Sequence, residues 1–222
     1  MVAILVISMI LFFLMVDAFR LYLKGKSLEV KDIVSLKPFA SLETPLGIFF
    51  DTSHTYARLN DDGEMKVGVD ELILKAIKEI SKIEFLPRGT QVNKGDIIGY
   101  IESGGKRLKI HSPISGTIIS FNQNALNNPS ALFEDPYFGS WLVKMHPTEI
   151  KEGIKDLLIG TSAKNFLEKE YSRFIDFLSK SATPALKSAL ADGAKPVMGA
   201  VQFLDERGWK EFEDSFMTPR KN

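Results

Sequence analysis

The spacing of apolar residues changes character twice along this chain. Residues 2–16 are an almost unbroken apolar run, broken only by Ser8. From Leu46 to Met145 the apolar residues fall into short alternating groups, separated by turn residues. From Thr148 onward they recur every three or four positions. Continuous apolar sequence predicts a membrane-embedded helix, strict alternation predicts half-buried strands, and a three-to-four spacing predicts amphipathic helices.

The middle region carries the densest turn chemistry. Strands are predicted over residues 46–50, 57–59, 65–69, 80–85, 97–101, 108–111, 117–121 and 141–145. Asn60-Asp61-Asp62-Gly63 forms a hairpin turn, Asn93-Lys94-Gly95-Asp96 makes the next turn, and Ser103-Gly104-Gly105 turns between two further strands. A short helix is expected over residues 72–77, opened by Val69-Asp70-Glu71. Residues 122–135 read as a polar loop. Many short strands with tight turns predict two small sheets packed as a sandwich.

In the last third, residues 148–158 and 162–179 have helical periodicity, with Thr161 or Ser162 as the cap of the second helix. Thr183-Pro184 opens a further helix and Asp192-Gly193 closes it. Residues 197–204 and 208–217 are short and unusually apolar. Trp209, Phe212 and Phe216 stand out there as groups that must be covered, either by this chain or by a partner.

The apolar run at the start is short for a spanning helix, but extending it to Leu23 supplies the length. Asp17 and Arg20 then lie on one helical face near its end, where they can pair or meet a partner helix. Arg20, Lys24 and Lys26 follow the run and no basic residue precedes it, unlike the opening of a cleaved signal peptide. The charge bias predicts a retained single-pass anchor in the inner membrane, with the folded part facing the cytoplasm. The domain layout is therefore an anchor over residues 1–23, a connector over 24–44, a β-sandwich over 45–147 and helices over 148–222.

Composition narrows the chemistry. Lys plus Arg and Asp plus Glu are equal at 28 each, which argues against a general nucleic-acid-binding surface. There is no cysteine, so no disulfide framework and no cysteine-ligated zinc or iron–sulfur site is built within the chain. The three histidines, His54, His111 and His146, lack the short helical spacing of a zinc motif. No nucleophile motif, phosphate loop or dinucleotide fingerprint is present, so the chain reads as a non-enzyme without cofactor or metal.

Several short motifs together resemble one family. They are His54-Thr55-Tyr56-Ala57, Lys66-Val67-Gly68-Val69, Pro87, Gly89, Val92, Gly95, Glu102-Ser103, Ser112-Pro113, Ser115-Gly116, Asn122, Asn127, Pro129, Asp135-Pro136-Tyr137 and Trp141. In order and spacing they resemble the glycine cleavage system H protein, from about Pro45 to Lys169. The resemblance implies a lipoyl-like domain of the barrel-sandwich hybrid type, so the expected class is mainly β with α. It also implies a lipoyl-bearing lysine in a Glu-Ser-Val-Lys motif. This chain has Glu102-Ser103-Gly104-Gly105 there, with the distance to Ser112-Pro113 kept, so Gly105 holds the lysine's place. Lys106 is the neighbouring candidate, but one step along a hairpin reverses the side chain's face. The other expectation is that Lys106, Arg107 and Lys109 form a solvated basic patch.

Three functions are weighed on this basis. The first is a non-catalytic, membrane-anchored H-protein-like subunit that docks within a larger membrane complex, with a redox complex as the partner. The second is a carrier lipoylated on Lys106. The third is a membrane-fusion-type transporter adaptor. The short Ser103–Arg107 connection counts against the third, because that class separates two lipoyl halves with a long helical hairpin.

Overall fold

A computed structural model describes residues 41–191 and 195–220, together with Phe39 and the helical residues Met9, Phe12, Phe13, Met15 and Val16. The predicted anchor as a whole, including Asp17 and Arg20, and the helix end at Asp192-Gly193 lie outside the described residues. Among the described residues no helix is long and apolar enough to cross a membrane.

Among the described residues nine strands form two sheets. The larger contains β1 (Ile48–Phe50), β2 (Thr55–Leu59), β3 (Met65–Val69), β5 (Gln91–Val92), β8 (Gly116–Phe121) and β9 (Val143–Pro147), in the order β1-β2-β3-β9-β8-β5. The smaller orders β4 (Lys82–Phe85), β6 (Ile97–Ser103) and β7 (Lys106–His111) as β4-β6-β7. Every named pairing is antiparallel. Ile98, Ile101, Leu108 and Ile110 of the smaller sheet share one apolar cluster with Val67, Ile118 and Met145 of the larger. Alternation along each strand thus buries one face of each sheet against the other, as a sandwich requires.

The eight expected strands are found in place and differ at their ends, while the two-residue β5 was not expected. The strand expected from residue 80 begins at Lys82, and the one expected from Trp141 begins at Val143. Trp141 is half-buried, with the Lys66 ammonium over its ring at 5.2 Å, and does not fill the core. The expected polar loop folds into a short helix, α2 (Gln123–Asn127), and a 3-10 turn (Pro129–Phe133). Asn122 causes this: its side chain accepts from the N–H groups of Asn124 and Ala125, which is an N-cap. Its amide also donates to the carbonyls of Gly139 and Trp141, fixing the following loop.

The helical part is equally specific. Helix α1 (Glu71–Ile77) is capped by Asp70. Helix α3 (Ile150–Ile154) is much shorter than the 148–158 periodicity suggested. Helix α4 (Thr161–Ser181) starts from Gly160 without a side-chain cap; the Ser162 hydroxyl instead exchanges hydrogen bonds with Ile159. After α5 (Pro184–Ala191) come a 3-10 turn (Ala200–Phe203) and α6 (Glu206–Phe212), which widens into a π turn (Glu213–Met217).

These last elements lie on the sandwich itself. Trp209, Phe212 and Phe216 are 7%, 0% and 1% exposed, in the same cluster as the sandwich core. Phe212 and Phe216 sit 5.3 Å apart by ring centroids, and each meets Phe174 and Phe177 of α4. Of the two alternatives the sequence left for these aromatic groups, the structure shows the first: this chain covers them. Phe39, at the end of the connector, joins them by packing on Tyr171 and Phe174.

Candidate functional site

The β6–β7 hairpin is turned by Gly104 and Gly105, with φ of +57° and +74° between the paired residues Ser103 and Lys106. Two consecutive left-handed residues make the turn whose twist matches the flanking strands, and glycine adopts it without a Cβ penalty. A Cβ at either position would meet nothing within 4 Å, so the tip is bare and open.

Lys106 is not free at this tip. Counting along β7, it shares parity with the buried Leu108 and Ile110, so it leaves on the inner face. Its Nζ donates to the Leu204 carbonyl at 2.9 Å and stands 5.0 Å from the Trp209 ring centroid. Arg107, on the outer face, pairs with Glu84 and covers the Tyr100 ring at 4.3 Å. Lys109 pairs with Glu213 at 3.5 Å. The expected solvated basic patch is therefore three separately partnered cations. Lys106, Ser103, Gly104, Glu79, Gln202 and Trp209 line a cavity of 210 Å³ beside the turn.

A second constellation surrounds His54, which is fully buried and holds φ at +58°. A non-glycine residue in this region is strained, and it persists only where its surroundings hold it. Here Nδ1 donates to Asp70 Oδ2 at 2.6 Å and Nε2 donates to Glu170 Oε2 at 3.1 Å. With a carboxylate at each ring nitrogen, both nitrogens must carry protons, so the ring is an imidazolium. Burial alone opposes that charge; Asp70 and then Glu170 outweigh it and raise the pKa to about 9. Phe166 and Phe216 stand 5.5 and 5.9 Å from the ring.

Glu170 ties this cluster to the end of the described chain. Burial would raise its pKa, but His54, Arg220 and Arg173 bring it down to about 2. Arg173 donates to it from Nε at 3.0 Å, and Arg220 pairs with its other oxygen at 2.9 Å. Arg173 also donates to the Ser215 carbonyl and lies 4.2 Å over the Phe216 ring. The Thr52 hydroxyl donates to the Arg220 carbonyl and accepts from the Arg220 N–H, both at 3.0 Å.

The three histidines are thus dispersed. His111 donates from Nδ1 to the Gly95 carbonyl at 2.7 Å, and His146 is exposed on β9. Among the described residues no group of three His, Asp or Glu side chains is arranged to hold a metal ion. His54 was singled out from the sequence; its partner Glu170, and Arg220 which pairs with Glu170, were not. The carboxyl of Asp70 was legible only as part of a helix start.

Two sheets packed around a glycine-turned hairpin define a lipoyl-like sandwich. The Glycine cleavage H-protein family matches residues 48–170, and the chain belongs to that family. The probable glycine cleavage system H protein of Thermococcus gammatolerans is 31% identical over 122 residues, covering 55% of this chain and 90% of that protein. The glycine cleavage system H protein of Prochlorococcus marinus is 32% identical over 125 residues, covering 56% of this chain and 95% of that protein. A crystal structure of a glycine cleavage system H protein from Mycobacterium marinum shares the fold, with a TM-score of 0.50 at 23% identity, over 57% of this chain and 98% of that one. The match ends at Glu170, so Arg173, Phe212, Phe216 and Arg220 belong to an extension beyond it.

Proposed function

We propose that this chain is a non-catalytic H-protein-family subunit that works as a docking module without a lipoyl arm. The observation that carries this reading is the hairpin tip. The family's attachment motif, laid on this sequence without a gap, puts Gly105 where the acylated lysine belongs. Glycine offers no amine. The adjacent Lys106 points inward, and its amine is held by the Leu204 carbonyl. Lipoyl attachment needs an amine that a modifying enzyme can reach and an arm that can swing; neither fits this geometry, so no step is assigned to that group.

The rest of the proposal comes from sequence. The apolar N-terminal run, followed by Arg20, Lys24 and Lys26, supports a module tethered on the cytoplasmic side of the inner membrane. Its proposed partners are other subunits of a membrane complex, with a redox complex as the partner class. Membership in the Glycine cleavage H-protein family favours a rival reading, a lipoylated carrier, for which Lys106 is the neighbouring amine.

One experiment separates the two. The full chain is purified from its native membrane in mild detergent, and its intact mass and co-purifying subunits are recorded. An unmodified chain in a stable complex with membrane proteins is the expected result. A lipoyl-sized increment mapping to Lys106 overturns the proposal and restores carrier function. Recovery of the chain alone removes the docking role.

A further inference from the structure

Among the described residues, in the sheet order β4-β6-β7, β7 has a strand on one side only. Its pairing with β6 runs through Ser103–Lys106 and Ile101–Leu108, and in an antiparallel ladder the intervening residues turn their backbone groups the other way. Arg107 and Lys109 therefore face an unpaired sheet edge. Such an edge is a template for another strand, and proteins usually cover it.

Here the cover is the extension. The Trp209 indole N–H donates to the Arg107 carbonyl at 3.4 Å, and Glu213 Oε1 accepts from the Lys109 N–H at 3.0 Å. These two residues are four apart, one helical turn, so a single helix face satisfies two edge groups. The edge contacts are made by side chains, one per backbone group, where a strand would supply a ladder. The helix also widens into a π turn at Glu213–Met217, a geometry frequent at functional sites.

Charge identifies what else would sit there. The β7 strand reads Lys106-Arg107-Leu108-Lys109-Ile110-His111, and the segment covering it contains Asp205, Glu206, Glu211, Glu213 and Asp214 against Arg207 and Lys210. An acidic segment lies on a basic strand. A second copy of β7 would bring like charges opposite one another, which disfavours self-pairing. We infer that the outer edge of β7 is a docking edge for an extended acidic segment of a partner protein, and that the C-terminal helix occupies it in cis as a stand-in. This rests on the docking-module reading and names its surface and the chemistry of its partner.

The test uses the full chain in detergent. Phe212→Ala with Glu213→Ala loosens the covering helix and removes the contact to the Lys109 N–H; Glu213→Ala alone is the milder variant. The probe is a fluorescent peptide of alternating glutamate and valine, read by anisotropy, with hydrogen exchange at the Lys109 amide. The expected result is binding at least ten-fold tighter to the double variant than to the parent chain, weakened by salt, with the Lys109 amide losing protection in the variant and regaining it with peptide. No gain in binding by either folded variant overturns the inference, as does binding that leaves the Lys109 amide exchanging freely. Concentration-dependent dimerisation that protects the same amide also overturns it, in favour of a second copy. A lipoyl increment on the parent chain would sink the docking-module reading while leaving the peptide result to stand or fall separately.

Discussion

The sandwich and the extension beyond Glu170 are held together by different means. In the sandwich, backbone ladders join neighbours, and glycines at Gly89, Gly95 and Gly104-Gly105 set the turns between them. In the extension the joining is mostly by side chains. Phe212 and Phe216 pack on Phe174 and Phe177, Arg220 reaches Glu170, and Trp209 and Glu213 reach the β7 edge. The backbone contributes at few points, such as the Ala182–Leu204 bridge and the bond from the Gly199 N–H to Lys75. A ladder is cooperative and local; an aromatic seam depends on a few large groups. The extension is therefore the more easily loosened layer.

The severest way to break this comparison is Phe212→Ala. The side chain is fully buried, and deleting it costs about 3–5 kcal/mol. Hydrogen exchange is expected to rise across residues 206–217 while β3 and β9 stay protected. A uniform rise in both regions would mean that the two layers unfold as one.

Next in size is the seam's charge. The pKa of His54 rises from 6.5 to about 9 on folding, so folding binds a proton. Its contribution is complete below pH 6.5 and disappears as pH climbs through 9, a loss of roughly 3 kcal/mol. Urea midpoints at pH 6 and pH 9.5 read it. Glu170 acts with the opposite sign: its contribution holds above the ordinary carboxylate range and is lost as pH falls toward 2. Glu170→Gln should lower the His54 pKa, visible as an earlier histidine titration by NMR.

Gly105→Lys is smaller. It places a side chain in open space at φ +74°, costing about 1–2 kcal/mol from backbone strain alone. With a lipoylating enzyme present, this variant should gain a lipoyl increment that the parent lacks, as intact mass will show. Least of all, Glu84→Gln breaks the exposed pairs with Lys82 and Arg107, and its unfolding midpoint should match the parent's.

What the sequence made legible follows the same division. The hairpins were readable because each turn is written in adjacent residues, Asn60 to Gly63 or Ser103 to Gly105. Helix α2 was missed although its cap, Asn122, stood in plain view; a run of asparagines looks like loop when read only for polarity. The His54 cluster was only half-readable, since Glu170 lies 116 positions away and no local pattern links the two. The spacing of Trp209, Phe212 and Phe216 announced a buried face but could not say which surface buries it.

The Thr52–Arg220 clasp has a consequence for limited proteolysis. A protease must draw several residues into its cleft in extended form. The Arg220 peptide unit has its N–H and carbonyl both engaged by a hydroxyl 168 positions upstream, and its arginine head is fastened to Glu170. Tryptic cleavage after Arg220 is therefore expected to wait on the opening of a contact made by a threonine in the turn between β1 and β2.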